Sequence, residues 1–598
     1  MKGLVMSTKV LLVYPEMPVT YWSFRYTLPF IGKKASIPPV GLITVAAMLP
    51  ENYDVKLIDM NVSKLTEKDI LAADLVFTST MLVQKRSHEK VVAMCNRLNR
   101  PVVAGGPFPT SSYKQIAGVD HFVLNEAEIT LPQFLKDYEA GIAKHVYESD
   151  DKPDITQTPA PRFELLDTNK YAIMALQYSR GCPFSCEFCD IVSMFGHVPR
   201  TKTPHQFVKE MDALYRAGYR GSLFVVDDNF IGNKKNVKEL LPFIAKWQYE
   251  HRYPFTLFTE ASVNLAEDTE LMDMMVRSGF NMVFLGIETP VKESLVETHK
   301  MQNIKSDLLD SIHTIQKKGM EVTGGFIIGF DNDPDDIFQR QIHFIQRSGI
   351  PSAMVGLLTA LPNTQLFKRL KMENRLVDVF TSGNNTHDLR LNFIPKMDVK
   401  KLIEGYKQVL AEIYEPKKYF YRCLSLLKNL ATHRGARRRI RLAELRALVL
   451  SISRQTFSFY GLEYMKFISK VLITKPSSFQ LAITLAVKGH HFIKITRETL
   501  AVDNFRVYLE KLSDSFNQLL KEKIDGVSAL DISAAVVSLK AYRDKSIADL
   551  KHEFEQIHRD FQPYAEEALL NFEQMIDQII IEISSGSLQP VSVYTGNK

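Results

Sequence analysis

The chain predicts an α/β fold in three parts: a doubly wound, Rossmann-like parallel sheet, a partial (β/α)6 barrel, and an α-helical C-terminal region. Three observations carry that expectation. Two successive series of short, β-branched-rich runs alternate with helix-like segments. Polar residues fall just beyond the runs of the second series. After about Lys400, strand signals give way to helical periodicity. The 598 residues, 45% apolar and 24% charged, suffice for several cores and exclude wholesale disorder and collagen-like repeats.

The first series spans residues 1–150. Its strand candidates are Val10–Tyr14, Val55–Asp59, Leu75–Ser79, Val102–Ala104 and His121–Leu124, with helices such as Gly41–Leu49 and Lys85–Leu98 between them. Short apolar runs closed by turn chemistry are how buried parallel strands read. Residues 151–170, with the Pro-containing stretch Lys152–Arg162, form a linker. A second βα series fills 171–400, with strands Ala172–Ser179, Ser222–Val226, Phe255–Phe258, Met282–Gly286, Val322–Gly329 and Ala353–Thr359, and helices such as Pro204–Ala217 and Ile304–Lys317. Cys182, Asp227, Asp228, Glu260, Glu288 and Asn363 follow these strands, on the catalytic face of a barrel. In the helical remainder, 401–598, Leu550, Phe554, Ile557, Phe561, Tyr564 and Ala568 recur at spacings of four and three, as an ordinary packing seam does; Pro563 should kink or split that helix.

The net charge of +6 conceals an uneven distribution. Between Pro416 and Arg497 stand 17 Lys+Arg against Glu444 and Glu463. A solvated basic face is the plain expectation. The alternative is peripheral contact with an anionic bilayer through Arg437, Arg438, Arg439 and Arg441 and the apolar stretch Phe479–Val487. Nucleic acid is not expected, since stacking platforms and readout motifs are not evident there. No run of about 18 uncharged apolar residues predicts a spanning helix. Ser7-Thr8-Lys9 leads directly into a strand-like run without the features of a signal peptide, so a cytoplasmic protein is expected, with a possible place at the inner membrane face.

Five cysteines cannot build a disulfide scaffold, and three of them lie within eight positions, as Cys182-Pro183-Phe184-Ser185-Cys186-Glu187-Phe188-Cys189. Thiolates ligate iron–sulfur clusters, and three leave one iron of a cubane open to a ligand from outside the protein. The competing assignment is a structural zinc site with His197 as fourth ligand. Cys95 and Cys423 lie far off in sequence and read as buried small apolar residues.

This loop resembles the cluster motif of the radical S-adenosylmethionine superfamily. The resemblance implies that Cys182, Cys186 and Cys189 hold a 4Fe-4S cluster whose open iron chelates S-adenosylmethionine, which is cleaved to a 5′-deoxyadenosyl radical. It further implies that Phe188 shields cluster and adenine, that Asp227-Asp228-Asn229 hold the methionine amino group, and that Glu260 and Ser262 face the carboxylate or ribose. By the same match Gly286 and Glu288 meet the ribose, and Gly324–Gly329 lets adenine approach the backbone.

The first domain lacks G-x-G-x-x-G after its first strand, which weakens a nicotinamide assignment. It resembles the cobalamin-binding domain fused to one radical S-adenosylmethionine class, on Ser79 in Thr78-Ser79-Thr80-Met81-Leu82, the Gly105-Gly106-Pro107 turn and Asn125-Glu126-Ala127-Glu128. That family usually has Gly where Asn125 stands, and no D-x-H-x-x-G motif supplies a histidine to cobalt. Ser79, Gly105, Gly106 and Glu126 are the implied cobalamin contacts. With Leu361-Pro362-Asn363-Thr364 and the helical extension, residues 9 to 500 are similar to the hopanoid C-2 methylase group of that class.

The resemblance implies a cobalamin-dependent C-methyltransferase acting on an unactivated carbon of a small molecule or lipid, with an electron donor such as flavodoxin or ferredoxin. A radical cyclisation or rearrangement with the same cofactors is the alternative. A methylthiotransferase would need three further cysteines that the chain lacks, and a non-catalytic sensor would not cleave S-adenosylmethionine. No side chain is assigned as a catalytic acid or base.

Overall fold

The computed structural model describes residues 7–378, 386, 389–431, 442–524 and 532–585. The chain forms two compact units, Met1–Ile493 and Lys494–Lys598.

The first unit holds two parallel sheets. The first has strands β1 (Lys9–Tyr14), β2 (Asp54–Asp59), β3 (Leu75–Ser79), β4 (Val102–Gly105), β5 (His121–Val123) and β6 (Val146–Tyr147), ordered 2-1-3-4-5-6. Alternate residues of β1 face opposite layers. Leu11 and Val13 pack with Val91, Val92 and Cys95, whereas Val10 and Leu12 pack with Leu42, Ala46 and Phe134. Two cores on two faces make the sheet doubly wound. Ligand sites in such sheets lie beyond the carboxyl ends of the strands.

The second sheet joins β7 (Ile173–Leu176), β10 (Gly221–Val225), β11 (Phe255–Ala261), β12 (Phe280–Glu288), β13 (Glu321–Ile328) and β14 (Ala353–Leu357) in the order 14-13-12-11-10-7. Between β7 and β10 lies a short antiparallel hairpin, β8 (Ser179–Arg180) with β9 (Arg200–Thr201). The sequence puts Ala172–Ser179 in one strand, but the chain turns after Leu176. Tyr178 N and Ser179 Oγ donate to the Asp227 carboxylate at 2.7 and 2.6 Å, and this hands Ser179 to the hairpin.

The aromatic segment after β1 packs away from its own sheet. Phe24 lies 5.4 Å from His491 and Phe30 lies 5.1 Å from His490, ring to ring, against the helix Phe479–Ile524. The apolar stretch Phe479–Val487 does not face solvent as a bilayer-binding surface requires: Ala482, Leu485 and Ala486 are fully buried. Arg437, Arg438, Arg439 and Arg441 lie outside the described residues. No described helix is long and apolar enough to cross a membrane.

In the second unit, helices Ile532–Gln556 and Gln562–Ser584 are separated by a break at Ile557–Phe561, with Pro563 in the first turn of the latter. Pro563 therefore splits the helix, where its missing N–H costs nothing. Leu550, Ile557 and Phe561 are buried, and the seam continues through Ala565 and Leu569 in place of Ala568.

Candidate active site

The three-cysteine loop is slung between β8 and β9. Gly181 enters it at φ +98°, and a Cβ there would lie 2.8 Å from Val198 O and 2.9 Å from Gly196 O, so only glycine fits without displacing backbone. Cys182 N donates to Gly196 O at 3.2 Å and Cys189 N to Cys186 O at 3.1 Å. Asn229 Nδ2 points at Cys182 Sγ (3.9 Å) and Gln302 Nε2 at Cys186 Sγ (3.6 Å). Burial pushes the Cys189 thiol up to about 12 and raises Cys182, while the Lys300 ammonium pulls both down. The Cys186 charge acts on both thiols, so the three share one neighbourhood. Glu187 points the other way, into a bidentate pair with Arg369 at 2.5 and 3.1 Å, and Arg369 also bonds Asp331.

Strand ends surround this loop with carboxylates. Asp227 is pushed up to about 6 by burial against its bonds to Ser179 and Tyr178. Burial, then the Asp227 charge, raises Asp228 to about 7; burial, then Asp228 and Asp227, raises Glu260 to about 8. Ser262 bonds Asn264 Oδ1 at 2.6 Å. Glu288, at φ +64° after a bulge in β12, bonds Lys300 at 2.8 Å. Burial opposes the Lys300 charge, but Glu288 and the thiols outweigh it and raise its pKa. A Cβ on Gly286 would strike this pair, at 2.6 Å from Glu288 Oε1 and 2.9 Å from Lys300 Nζ. Lys300 also sits 5.8 Å from the Phe188 ring centre.

Below the carboxylates the inner face of the sheet is apolar and open. Phe224, Phe258 and Phe284 are partly exposed, as are Gly325 and Gly356, which carry no side chain into the space. Phe224 and Phe258 stack at 4.6 Å, and Trp22, 54% exposed, reaches 5.4 Å from Phe284. At the amino ends of β12 and β13, Lys488 Nζ lies 2.8 Å from Glu321 Oε1 and 3.7 Å from Met282 Sδ and fills the floor.

At the carboxyl end of the first sheet, Gly106 has φ +93°, and a Cβ there would lie 2.7 Å from Ser79 Oγ; one on Gly105 would lie 2.8 Å from Val123 O. The result is a side-chain-free cradle. Beside it Thr80 Oγ1 is buried and without a hydrogen-bond partner among the described residues. Asn125 adopts φ +60°, the left-handed region where Gly costs least and Asn is tolerated. The Glu126 carboxylate bonds Arg180 and Arg200, each at 2.7 Å, and Arg180 also takes Glu128 at 2.8 Å. These bonds clamp the cysteine hairpin to the first sheet. Neither arginine, nor Lys300 or Arg369, stands out in the sequence.

A superfamily of radical S-adenosylmethionine enzymes, in the class with an N-terminal B12 domain, is what this fold and site define. The Radical SAM superfamily model matches residues 176–345, the B12 binding domain model 34–135, and the Domain of unknown function (DUF4070) model 364–503. Uncharacterized methyltransferase sll1242 of Synechocystis sp. is 42% identical over 517 residues, 84% of this chain and 95% of that protein. Hopanoid C-2 methylase of Rhodopseudomonas palustris is 31% identical over 507 residues, 82% of this chain and 94% of its own. The solved structure of the radical S-adenosylmethionine methyltransferase TsrM from Kitasatospora setae, with cobalamin and a 4Fe-4S cluster bound, shares the fold at a TM-score of 0.53 and 14% identity, covering 81% of this chain and 99% of that one. The chain belongs to the cobalamin-binding radical S-adenosylmethionine methyltransferase family. Its cofactors are a 4Fe-4S cluster, S-adenosylmethionine and cobalamin.

The residues present fit those groups. Three thiols on the one loop between β8 and β9 suit the thiolate ligands of a cluster. The acids around the loop suit a cationic ligand, and Gln302 Oε1 and Asn303 Oδ1 are buried there without partners among the described residues. The Gly105–Gly106 cradle with Thr80 Oγ1 suits a ligand laid against backbone.

Proposed function

We propose that the protein methylates an unactivated carbon of an apolar small molecule or lipid. The observation that carries this is the partly exposed aromatic trough of Phe224, Phe258 and Phe284, roofed by Trp22 and rimmed by Asp228, Glu260 and Glu288. In this assignment Cys182, Cys186 and Cys189 hold the cluster, and Phe188, Asp227, Asp228, Glu260, Ser262, Gly286 and Glu288 receive S-adenosylmethionine. Ser79, Gly105, Gly106 and Glu126 receive cobalamin. Residues 1–150, 171–400 and 401–598 are the cobalamin, barrel and helical domains.

Bound together, the cofactors supply an adenosyl radical and a transferable methyl group. The chain's own residues position and exclude. Asp228 and Glu260, whose affinity for protons burial raises when the site is empty, give up protons from their carboxyl oxygens as a cationic ligand arrives and then hold it by charge. The Lys300–Glu288 bond fixes the Glu288 carboxylate for hydroxyl groups. The ring wall keeps water from the reacting carbon.

Electrons would come from flavodoxin or ferredoxin, and a lipid substrate places the enzyme peripherally at the inner face of a membrane. The test is an anaerobic product assay with deuterated methyl donor and lipid extract, read by mass spectrometry. A product heavier by one labelled methyl is expected. Consumption of substrate at unchanged mass would replace methylation by cyclisation or rearrangement.

A further inference from the structure

Helices Leu442–Thr456 and Gly461–Thr474 form a hairpin that is apolar on both sides. Its inner side buries Tyr464, Phe467, Ile468 and Val471 around a polar contact, in which Gln455 Nε2 donates to Ser451 Oγ at 2.8 Å and Ser451 Oγ lies 3.1 Å from Tyr464 Oη. Its outer side is apolar. Nine large apolar side chains between residues 445 and 473 are exposed, among them Leu462 at 70% and Ile473 at 82%. The turn projects Phe457, 89% exposed, and Phe459. A water-facing hairpin keeps its outer side polar, and scattered exposed apolar residues do not account for so dense a patch.

Charge decides what covers it. Arg446, Arg454, Lys466 and Lys470 are exposed among these residues, with Lys466 paired to Glu463 at 2.7 Å and Arg446 and Arg454 also touching Pro29 and Phe30; the acids there are Glu444 and Glu463. A second copy packed on this face would bring a like excess of cations to it. An anionic bilayer offers hydrocarbon to the rings and phosphate to the cations, and it needs no shape match. We infer that the 442–474 hairpin is the membrane-docking surface, with the Phe457-Ser458-Phe459 turn inserted at the headgroup–acyl boundary. This rests on the peripheral membrane location proposed above and not on the methyl-transfer chemistry.

The experiment is co-sedimentation of the full chain with vesicles of equimolar phosphatidylcholine and phosphatidylglycerol, or of phosphatidylcholine alone, at low and high salt. Wild type should pellet with the anionic vesicles at low salt. Phe457→Ser with Phe459→Ser should cut partitioning about tenfold with unchanged circular dichroism. Lys466→Ser with Lys470→Ser should weaken it at low salt only. A Phe457→Trp variant should gain blue-shifted emission over wild type, quenched by brominated acyl chains. Undiminished binding of the Phe457→Ser, Phe459→Ser variant overturns the hairpin assignment alone. Wild type left in the supernatant with both vesicles at low salt overturns it together with the membrane location. A dimer dissociated by the same substitutions, without vesicle binding, overturns it in favour of self-association.

Discussion

Arg180→Met takes away a guanidinium that is 12% exposed, between Glu126 at 2% and Glu128 at 12%. Methionine keeps most of the length and the apolar stem, so the loss is one charge and the bonds to Gln177 Oε1 (2.8 Å), Glu126 Oε2 (2.7 Å), Glu128 Oε2 (3.0 Å) and Glu128 Oε1 (2.8 Å). Arg200 still holds Glu126, so Glu128 bears the deficit, with Thr158 Oγ1 at 2.7 Å as its remaining partner. A solvated pair would cost under about 1 kcal/mol, and a buried carboxylate stripped of its cation about 3–5. With one hydrogen bond retained, about 3 kcal/mol is expected.

The loss should depend on pH. Burial works to raise the Glu128 pKa, and the Arg180 bonds overcome it and hold the carboxyl below its usual range. That stability is present above the unfolded value of about 4.3 and fades as pH falls through the depressed folded value. Urea denaturation of the cofactor-free chain, followed through the first unit's transition, should show the full deficit at pH 7 and a smaller one in acid. Glu128→Gln added to Arg180→Met should recover most of it, because no buried charge is then left unpaired. A deficit under about 1 kcal/mol at pH 7, or no recovery in the double variant, refutes the clamp.

Reconstituted protein should carry about four irons per chain, and Cys182→Ala, Cys186→Ala or Cys189→Ala should abolish adenosyl cleavage; stoichiometric zinc with no iron uptake would defeat the assignment. Gly181→Ala, whose methyl meets two carbonyl oxygens, should cost about 1–3 kcal/mol and slow iron incorporation measured by absorbance. Glu260, raised to about 8, destabilises the empty fold as pH climbs from its unfolded value towards 8, so Glu260→Gln should be the more stable by about 1–3 kcal/mol at pH 8 and not at pH 5, read by thermal melts. Cobalt(II) in bound cobalamin should show no nitrogen superhyperfine splitting from protein. His88 is fully buried against Thr78, and His121 and His145 sit at the amino ends of β5 and β6; such splitting would contradict this.

The strands of both sheets were legible because each is a short, buried, β-branched-rich run between turns. β6, two residues with no apolar run around them, gave no such signal. The β8–β9 hairpin was hidden because Ser179 follows an apolar strand without a break in sequence, and only the Asp227 carboxylate, 48 residues on, turns it away. The thiols announced themselves by spacing. Arg369 pairs with Glu187 across 182 positions and Arg200 with Glu126 across 74, and lone basic residues at such separations carry no local pattern. Glu126 was found for its place in a motif, though its carboxylate serves the clamp. The stretch Phe479–Val487 shows that apolar composition cannot tell an inward face from an outward one; the hairpin at 442–474 has the outward one.

The Lys488–Glu321 pair at the barrel floor bears on which way molecules travel. On the proposed function, a molecule seated among Phe224, Phe258 and Phe284 would come and go by the rim or by the unpaired flank between β14 and β7, since the ion pair bars the lower mouth.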